Sequence, residues 1–404
     1  MNSADTAFIL ICAALVMFMT PGLALFYGGM VRGKNILGTL MHSMIMLGVV
    51  SIVWAIIGYS LSFGSDIGGF IGGLDYLWLN GVGQEAAPMA DNLPHLVFMI
   101  FQCMFAVITP ALITGAFAER IKFSGFLLFS ILWVVVVYAP MCHWVWGGGW
   151  MGEMGALDFA GGAVVHMSSG ASALAAALYI GKRQGFGKQH FIPHNLPLTI
   201  LGAAILWFGW FGFNAGSALA ANGLAASAFV TTHMAAAAAA CGWLAAEWLH
   251  AGKPTTLGMA SGAVAGLVAI TPAAGFVTPM GSIIIGLLGG FICYGGVLLK
   301  PILGYDDSLD VVGIHGLGGT WGALATGLFA TTAVNVGGAD GLFYGNPGQL
   351  WIQFVSVIAT WAFCFVMSLI LLKIVDVIVG IRVTPEEESV GLDVSQHSET
   401  GYQF

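Results

Sequence analysis

Two histidines share one local pattern. His166 lies in Asp158-Phe159-Ala160-Gly161-Gly162-Ala163-Val164-Val165-His166, and His315 in Asp307-Ser308-Leu309-Asp310-Val311-Val312-Gly313-Ile314-His315; each follows an Asp by eight residues and precedes a Gly by four. A neutral imidazole carries one donor and one acceptor, so a facing pair can share a hydrogen bond, line an apolar passage and relay a proton. A lone His on an apolar helix is ordinarily a satisfied core residue. Two in one register, the second followed by the small Gly316, point instead to a shared site, because an ionisable group is costly to bury at membrane depth.

The elements that must position such a pair follow from composition. Of 404 residues 7% are charged and 58% hydrophobic, and the mean hydropathy is +0.91. A water-soluble surface of this size needs more charge, so the chain is predicted to be an all-α membrane protein. Eleven basic residues against a net charge of −8 leave nothing to grip nucleic-acid phosphates. Cys12, Cys103, Cys142, Cys241, Cys293 and Cys364 fall singly in apolar runs and are expected to be small hydrophobic helix residues rather than disulfides or metal ligands. Stretches able to cross about 30 Å of hydrocarbon are predicted at 6–30, 38–63, 95–118, 123–142, 161–180, 196–213, 223–249, 257–272, 281–299, 311–330 and 350–379. The first lacks a basic leader and is expected to be a retained span rather than a signal peptide.

Charge orients these eleven spans. Arg32, Lys34, Arg120, Lys122, Lys182, Arg183, Lys188, Lys253, Lys300, Lys373 and Arg382 all fall in or beside alternate connections, whereas the opposite ones, including the Gly-rich segment 64–94, have Asp66, Asp75, Glu85 and Asp91 but no Lys or Arg. Short cytoplasmic loops attract Lys and Arg, which predicts an outer N-terminus and a cytoplasmic C-terminus. Spans five and ten are then antiparallel, and the repeated Asp-to-His spacing implies two inverted five-span halves plus a final helix. Eight helical residues rise about 12 Å, so each His is expected near the membrane centre. The abundant glycines are expected to serve close helix packing.

Several stretches together resemble the ammonium transporter family, which is related to the Rhesus proteins. They are Leu25 to Arg32, Ala118-Glu119-Arg120, His143 to Trp150, Gly155 to Gly162, Phe208 to Ser217 and the tail from Gly391 to Tyr402. The resemblance covers essentially the whole chain, and the run from Gly155 through His166 is its most specific part. It implies a homotrimer in the cytoplasmic membrane, each protomer with its own narrow pore for ammonium or ammonia, methylammonium serving as an analogue. It implies no enzymatic activity, cofactor or metal. Residue by residue, it implies an outer ammonium site of Phe101, Trp146 and Ser217, a phenyl gate of Phe105 and Phe213, the twin-His pore of His166 and His315, and supporting roles for Asp158 and Trp210. It implies a transmembrane domain over 1–383 and a cytoplasmic regulatory tail over 384–404, with Gly391, Asp393, His397 and Glu399 where a PII-type nitrogen-signalling protein docks.

The chemistry of these residue types agrees with that order. Aromatic faces attract a small cation and a Ser hydroxyl accepts its N–H; a phenyl gate forces dehydration, which an ion resists and neutral ammonia does not. Asp158 is expected to cap the helix of span five, acting on the outer site indirectly, and Glu119, Arg120, Asp306, Asp307 and Asp310 to fix inner helix ends. The chain departs from the family's wording at Ser398, where Gly is common, and at Leu309. Competing readings are a non-transporting ammonium sensor, a Rhesus-like channel for ammonia or carbon dioxide, and a membrane haem protein using the two His as axial ligands.

Overall fold

Inside a bilayer no water can satisfy the backbone, so each crossing must close its own hydrogen bonds as a helix. The computed structural model describes residues 1–402 and is built on that rule. The crossings are α1 (Ser3–Met30), α2 (Gly33–Phe63), α3 (His95–Phe117), α4 (Phe123–Trp133 continuing through Val134–Tyr138 and Ala139–Trp146), α5 (Gly162–Ile180), α6 (Leu196–Gly216), α7 (Gly223–Ala251), α8 (Thr256–Ile270), α9 (Pro279–Leu303), α10 (Val312–Gly316 continuing through Leu317–Phe329) and α11 (Pro347–Val379). Among the described residues nine are long and apolar enough to span unaided; α8 and α10 complete the eleven. Their starts carry capping side chains, with Asn2, Asn195, Asn222, Thr255 and Thr278 accepting backbone N–H groups. Left-handed Gly252 and Gly304 close α7 and α9.

At 15 residues, α8 covers only about 22 Å. The rest of its crossing is the irregular segment 271–277, which is buried in protein and therefore tolerated. Its polar groups are met from other elements: Phe159 N donates to Pro272 O at 3.1 Å and Thr231 Oγ1 to Ala274 O at 2.7 Å.

The two halves are α1–α5 and α6–α10, with α11 against α5. They meet through glycine. A Cβ on Gly202 would stand 2.2 Å from Phe26 N, and one on Gly22 2.6 Å from Ile205 Cγ2, so α1 and α6 lie nearly backbone to backbone. A Cβ on Gly170 of α5 would stand 2.3 Å from the Cα of Gly316 of α10. One on Gly319 would stand 3.0 Å from His166 Cβ. The glycine four residues after each histidine thus leaves room for the opposite half.

The two ends of the bundle differ in chemistry. At one, Asn2 N donates to Asn92 O at 2.8 Å and ties the N-terminus to the segment 64–94. That segment holds two short antiparallel ribbons the sequence did not announce, β1 (Asp66–Ile67) with β2 (Ile71–Gly72) and β3 (Ala86–Ala87) with β4 (Ala90–Pro94). Three strands of two residues and one of five, Ala90-Asp91-Asn92-Leu93-Pro94, leave no alternating apolar pattern to read. At the other end Glu119 binds Arg32 and Asn35, with Arg183 bridging it to Asp306 at 3.1 and 2.8 Å. Arg120 is fully buried on carbonyls of Ala116, Gly181 and Asp306 and on Ser308 Oγ. Burial pushes the Glu119 carboxyl up, but the Arg32 hydrogen bond and the charges of Arg183 and Arg32 outweigh it and hold it below the usual range. These residues fix helix ends, as expected.

After α11, Thr384 and Glu387 form a capping box that starts α12 (Pro385–Val390), and α13 (Leu392–His397) follows. The tail folds back on the helix bundle: Asp393 Oδ1 accepts Gly38 N at the start of α2 at 2.8 Å, and Gln396 Oε1 accepts Phe123 N at 3.2 Å. His397 meets the Phe123 ring edge-on at 4.9 Å. Ser398 takes φ 56°, the left-handed conformation a glycine would adopt without cost; its N–H closes α13 on Val394 O. Glu399 N donates to Asp393 O at 3.1 Å. Residues 403–404 of the expected tail lie outside the described residues.

The Asp-to-His segments correct one expectation: they are not eight residues of α-helix. Asp158 to Gly161 is an irregular bend, Gly161 turns with φ 121°, and His166 sits in a π-helical turn, Gly162–Met167. In the other half Asp310 turns with φ 64° and His315 sits in the π turn Val312–Gly316. An Asp that accepts N–H groups further along must stand outside the helix it caps, which shortens the rise; the wider turn then carries the imidazole.

Candidate functional site

Asp158 sets the half of the site nearer the end that carries the N-terminus. Its Oδ1 accepts Gly161 N and Gly162 N at 2.8 and 2.6 Å, and its Oδ2 accepts Ala163 N and Val164 N at 2.8 and 3.2 Å. These are the N–H groups a helix start leaves orphaned, so the carboxylate is committed to the turn that carries His166. Its own carbonyl accepts Trp146 Nε1 at 2.9 Å. One residue therefore positions both the turn that carries the histidine and the indole of the tryptophan.

Trp146, the last residue of α4, and Ser217, just beyond α6, line a cavity of about 300 Å³ with Phe98, Gln102, Phe105 and Phe159. Ser217 Oγ donates to Phe213 O at 2.9 Å, leaving its lone pairs to the cavity. Phe101 is not part of this wall. It is 1% exposed and stands behind, edge-on to Phe105 at 5.0 Å and against Gly216, where a Cβ would come 2.8 Å from its ring. Gln102, Phe98 and Phe159 went unremarked in the sequence. The spacing of Phe98, Gln102 and Phe105 at i, i+4 and i+7 on α3 was the available signal.

Below the cavity Phe105 and Phe213 pack with ring centroids 4.3 Å apart at 38°. Phe213 lies over the His166 ring at 6.1 Å, and His166 stacks on Trp210 at 5.4 Å and on His315 at 5.3 Å. Trp210 is held from behind, its Nε1 donating to Thr271 Oγ1 at 2.9 Å. The two imidazoles meet Nδ1 to Nδ1 at 3.2 Å, so one donates and the other accepts. His166 Nε2 has no partner.

Around the pair is a narrow apolar space of about 10 Å³ bounded by Leu23, Phe26, Ile108, Leu112, Val165 and Leu206, room for about one molecule of water size. Phe26 also borders a third cavity, of about 180 Å³, toward the basic end, with Trp243, Ser261, Asp310 and Ile314. Leu309 is buried and borders it too. The path runs from an aromatic mouth past two packed phenyl rings and two histidines to a second mouth. A larger cavity of about 630 Å³, between Lys34, His194 and tail residues Asp393 and Val394, shares no lining residue with this path.

Residues 7–402 match the Ammonium Transporter Family. The chain is 56% identical over 406 residues to the "Ammonium transporter" of Bacillus subtilis, covering 100% of this chain and 99% of that one. Among solved structures it is similar to Candida albicans Mep2, at 36% identity and TM-score 0.91, over 96% of this chain and 88% of that one. It is also similar to a "Sensor Amt Protein", at 30% identity and TM-score 0.90, over 98% of both chains. With a family match over nearly its full length and a relative of this identity, the chain belongs to the ammonium transporter family.

Proposed function

We propose that this protein captures ammonium at the aromatic mouth, removes its proton there and conducts ammonia through the twin-His lumen. The observation that carries the reading is the order along the path: Trp146 and Ser217, then Phe105 on Phe213, then His166 on His315. Cation–π attraction contributes about 0.5–2 kcal/mol for each well-placed face, and Ser217 accepts one N–H. Moving an ion of this size from water into a medium as apolar as the lumen costs on the order of 20 kcal/mol in the idealised limit, whereas neutral ammonia crosses far more cheaply. Phe213 and Phe105 are the gate, Trp210 and Asp158 position the pair, and Phe101 acts by backing Phe105.

The end carrying the N-terminus and the segment 64–94 faces outward and the basic end faces the cytoplasm, in the cytoplasmic membrane. Residues 1–383 are the conducting domain of a homotrimer. The tail from 384, with Gly391, Asp393, His397 and Glu399 at its folded core, regulates transport and receives a PII-type protein.

The histidines provide the test. Each is the other's hydrogen-bond partner, so His166→Ala and His315→Ala break the same link. In proteoliposomes both single variants and the double variant are expected to lose the same fraction of ammonium-driven flux or to admit potassium to the same degree. Strictly additive losses, or wild-type flux and selectivity in the double variant, overturn the mechanism.

A further inference from the structure

Two polar side chains line the outer cavity, those of Ser217 and Gln102. The Ser217 proton is committed to Phe213 O, so this hydroxyl faces the cavity as an acceptor. Gln102 shares the cavity-facing stripe of α3 with Phe98 and Phe105. It is 8% exposed, and its Oε1 has no hydrogen-bond partner. The indole N–H of the wall, Trp146 Nε1, is taken by Asp158 O. Phe63, Met89, Val145 and Leu219 complete the lining and bring no side-chain donor.

A buried amide oxygen without a donor is costly and calls for an explanation. The wall offers the Ser217 lone pairs and, in the Gln102 amide, an acceptor and a donor that exchange places when the amide turns over, so it can present two acceptors to a guest that only donates. Ammonium has four N–H bonds and no lone pair.

We propose that Gln102 is a substrate-binding residue of the outer site, its amide oxygen accepting one N–H of ammonium while Ser217 Oγ accepts another. The remaining N–H bonds then face the Phe105 and Trp146 rings. The amide turns its oxygen to the guest about a terminal torsion with a broad, shallow profile. This inference rests on the ammonium reading above and adds a hydrogen-bond acceptor that the chain's resemblance to its family did not bring forward.

The test compares Gln102→Met, similar in length but without the acceptor, with Gln102→Glu, which keeps one. Radiolabelled methylammonium uptake into proteoliposomes is measured against concentration, alongside the thermal midpoint of each purified protein with and without ammonium chloride. For Gln102→Met the half-saturating concentration is expected to rise about tenfold, the size of one charge-assisted hydrogen bond. The change falls on half-saturation more than on maximal rate, and the ligand-free midpoint equals or exceeds that of the unaltered protein because an orphan amide is gone. Gln102→Glu is expected to retain half-saturation within about threefold. Unaltered half-saturation in a folded Gln102→Met protein overturns the proposal, as does a tenfold loss in Gln102→Glu. A lowered midpoint with unaltered half-saturation also overturns it, by assigning Gln102 to packing. If the unaltered protein takes up no methylammonium, the transport reading fails. The ammonium-induced midpoint shift then decides on Gln102 alone, since a shift equal in the unaltered and Met proteins rejects it.

Discussion

Asp158 and Asp307 stand at the same distance from their histidines and hold their turns differently. Asp158 accepts four backbone N–H groups with two oxygens. Asp307 accepts Val312 N at 2.7 Å through Oδ2, while its Oδ1, fully buried, has no partner. The sharp backbone turn falls on a glycine in one half, Gly161, and on a paired side chain in the other, Asp310 bound to Lys300. The outer half is over-determined, and the inner half is held with less. If the aromatic cavity is the mouth proposed above, its tryptophan and histidine need close placement, and Asp158 holds both. The inner half borders the basic network and the tail, where a looser hold leaves the arrangement open to adjustment.

The largest test of this contrast is one substitution made twice. Asp158→Asn puts an NH2 group against two backbone N–H donors, each left unsatisfied at a cost of about 1–3 kcal/mol. It is expected to lower the thermal midpoint steeply and to abolish methylammonium uptake. Asp307→Asn keeps the acceptor for Val312 N and removes a buried charge, so it is expected to leave stability at neutral pH undiminished or higher. Equal effects of the two, measured by thermal unfolding in detergent, would erase the distinction.

Titration gives the next largest effect. Burial, against Lys300 and with help from Asp310, pushes the Asp307 carboxyl up to about 6. The folded protein then holds its proton where the unfolded chain, near 4, has lost it. The stabilisation from this group is complete below about pH 4, falls as pH rises to about 6 and stays lost above. At 1.36 kcal/mol per unit this is roughly 3 kcal/mol as an upper bound. Glu119 and Asp306, held below the usual range, act in the opposite direction, their contribution falling away as pH drops. The informative quantity is therefore the midpoint of the unaltered protein minus that of Asp307→Asn from pH 4 to 7. A downward slope is expected, and a flat difference contradicts the looser inner cap.

The crossing of the halves comes third. Gly170→Ala sets a methyl 2.3 Å from Gly316 Cα, backbone that cannot step aside. It is expected to cost about 1–3 kcal/mol as overpacking and to part the two imidazoles, visible as changed histidine signals in NMR. Gly319→Ala, at 3.0 Å from His166 Cβ, is expected to cost less.

The smallest effect on stability is expected from removing the tail. Truncation before Thr384 is expected to leave an inserted protein with a midpoint within about 2 °C, because the tail is tied to one end of the bundle by a handful of hydrogen bonds and adds nothing to the packing between crossings. It is expected to alter flux and to abolish binding of a PII protein in pull-down. Undiminished PII binding after truncation dismisses the docking role, and an unfolded protein would show the inner end to be less tolerant than its caps imply.

The sequence by itself determined the membrane class, the eleven crossings to within a few residues, the segregation of basic residues to one end, and the two histidines with their capping aspartates. Those properties reside in composition, in runs of apolar residues and in one repeated spacing, and a single chain carries them. Tertiary structure decided that the histidines ride on π turns, since one wide turn leaves no periodicity to read. It also decided that the Nδ1 atoms meet, because that depends on Gly170 and Gly316 arriving at the same place from 146 residues apart. The position of Phe101 behind the wall, the unpartnered amide of Gln102 within it and the orphan oxygen of Asp307 belong to the same class. Whether a side chain finds a partner is a property of everything packed around it, and those neighbours come from helices distant in sequence.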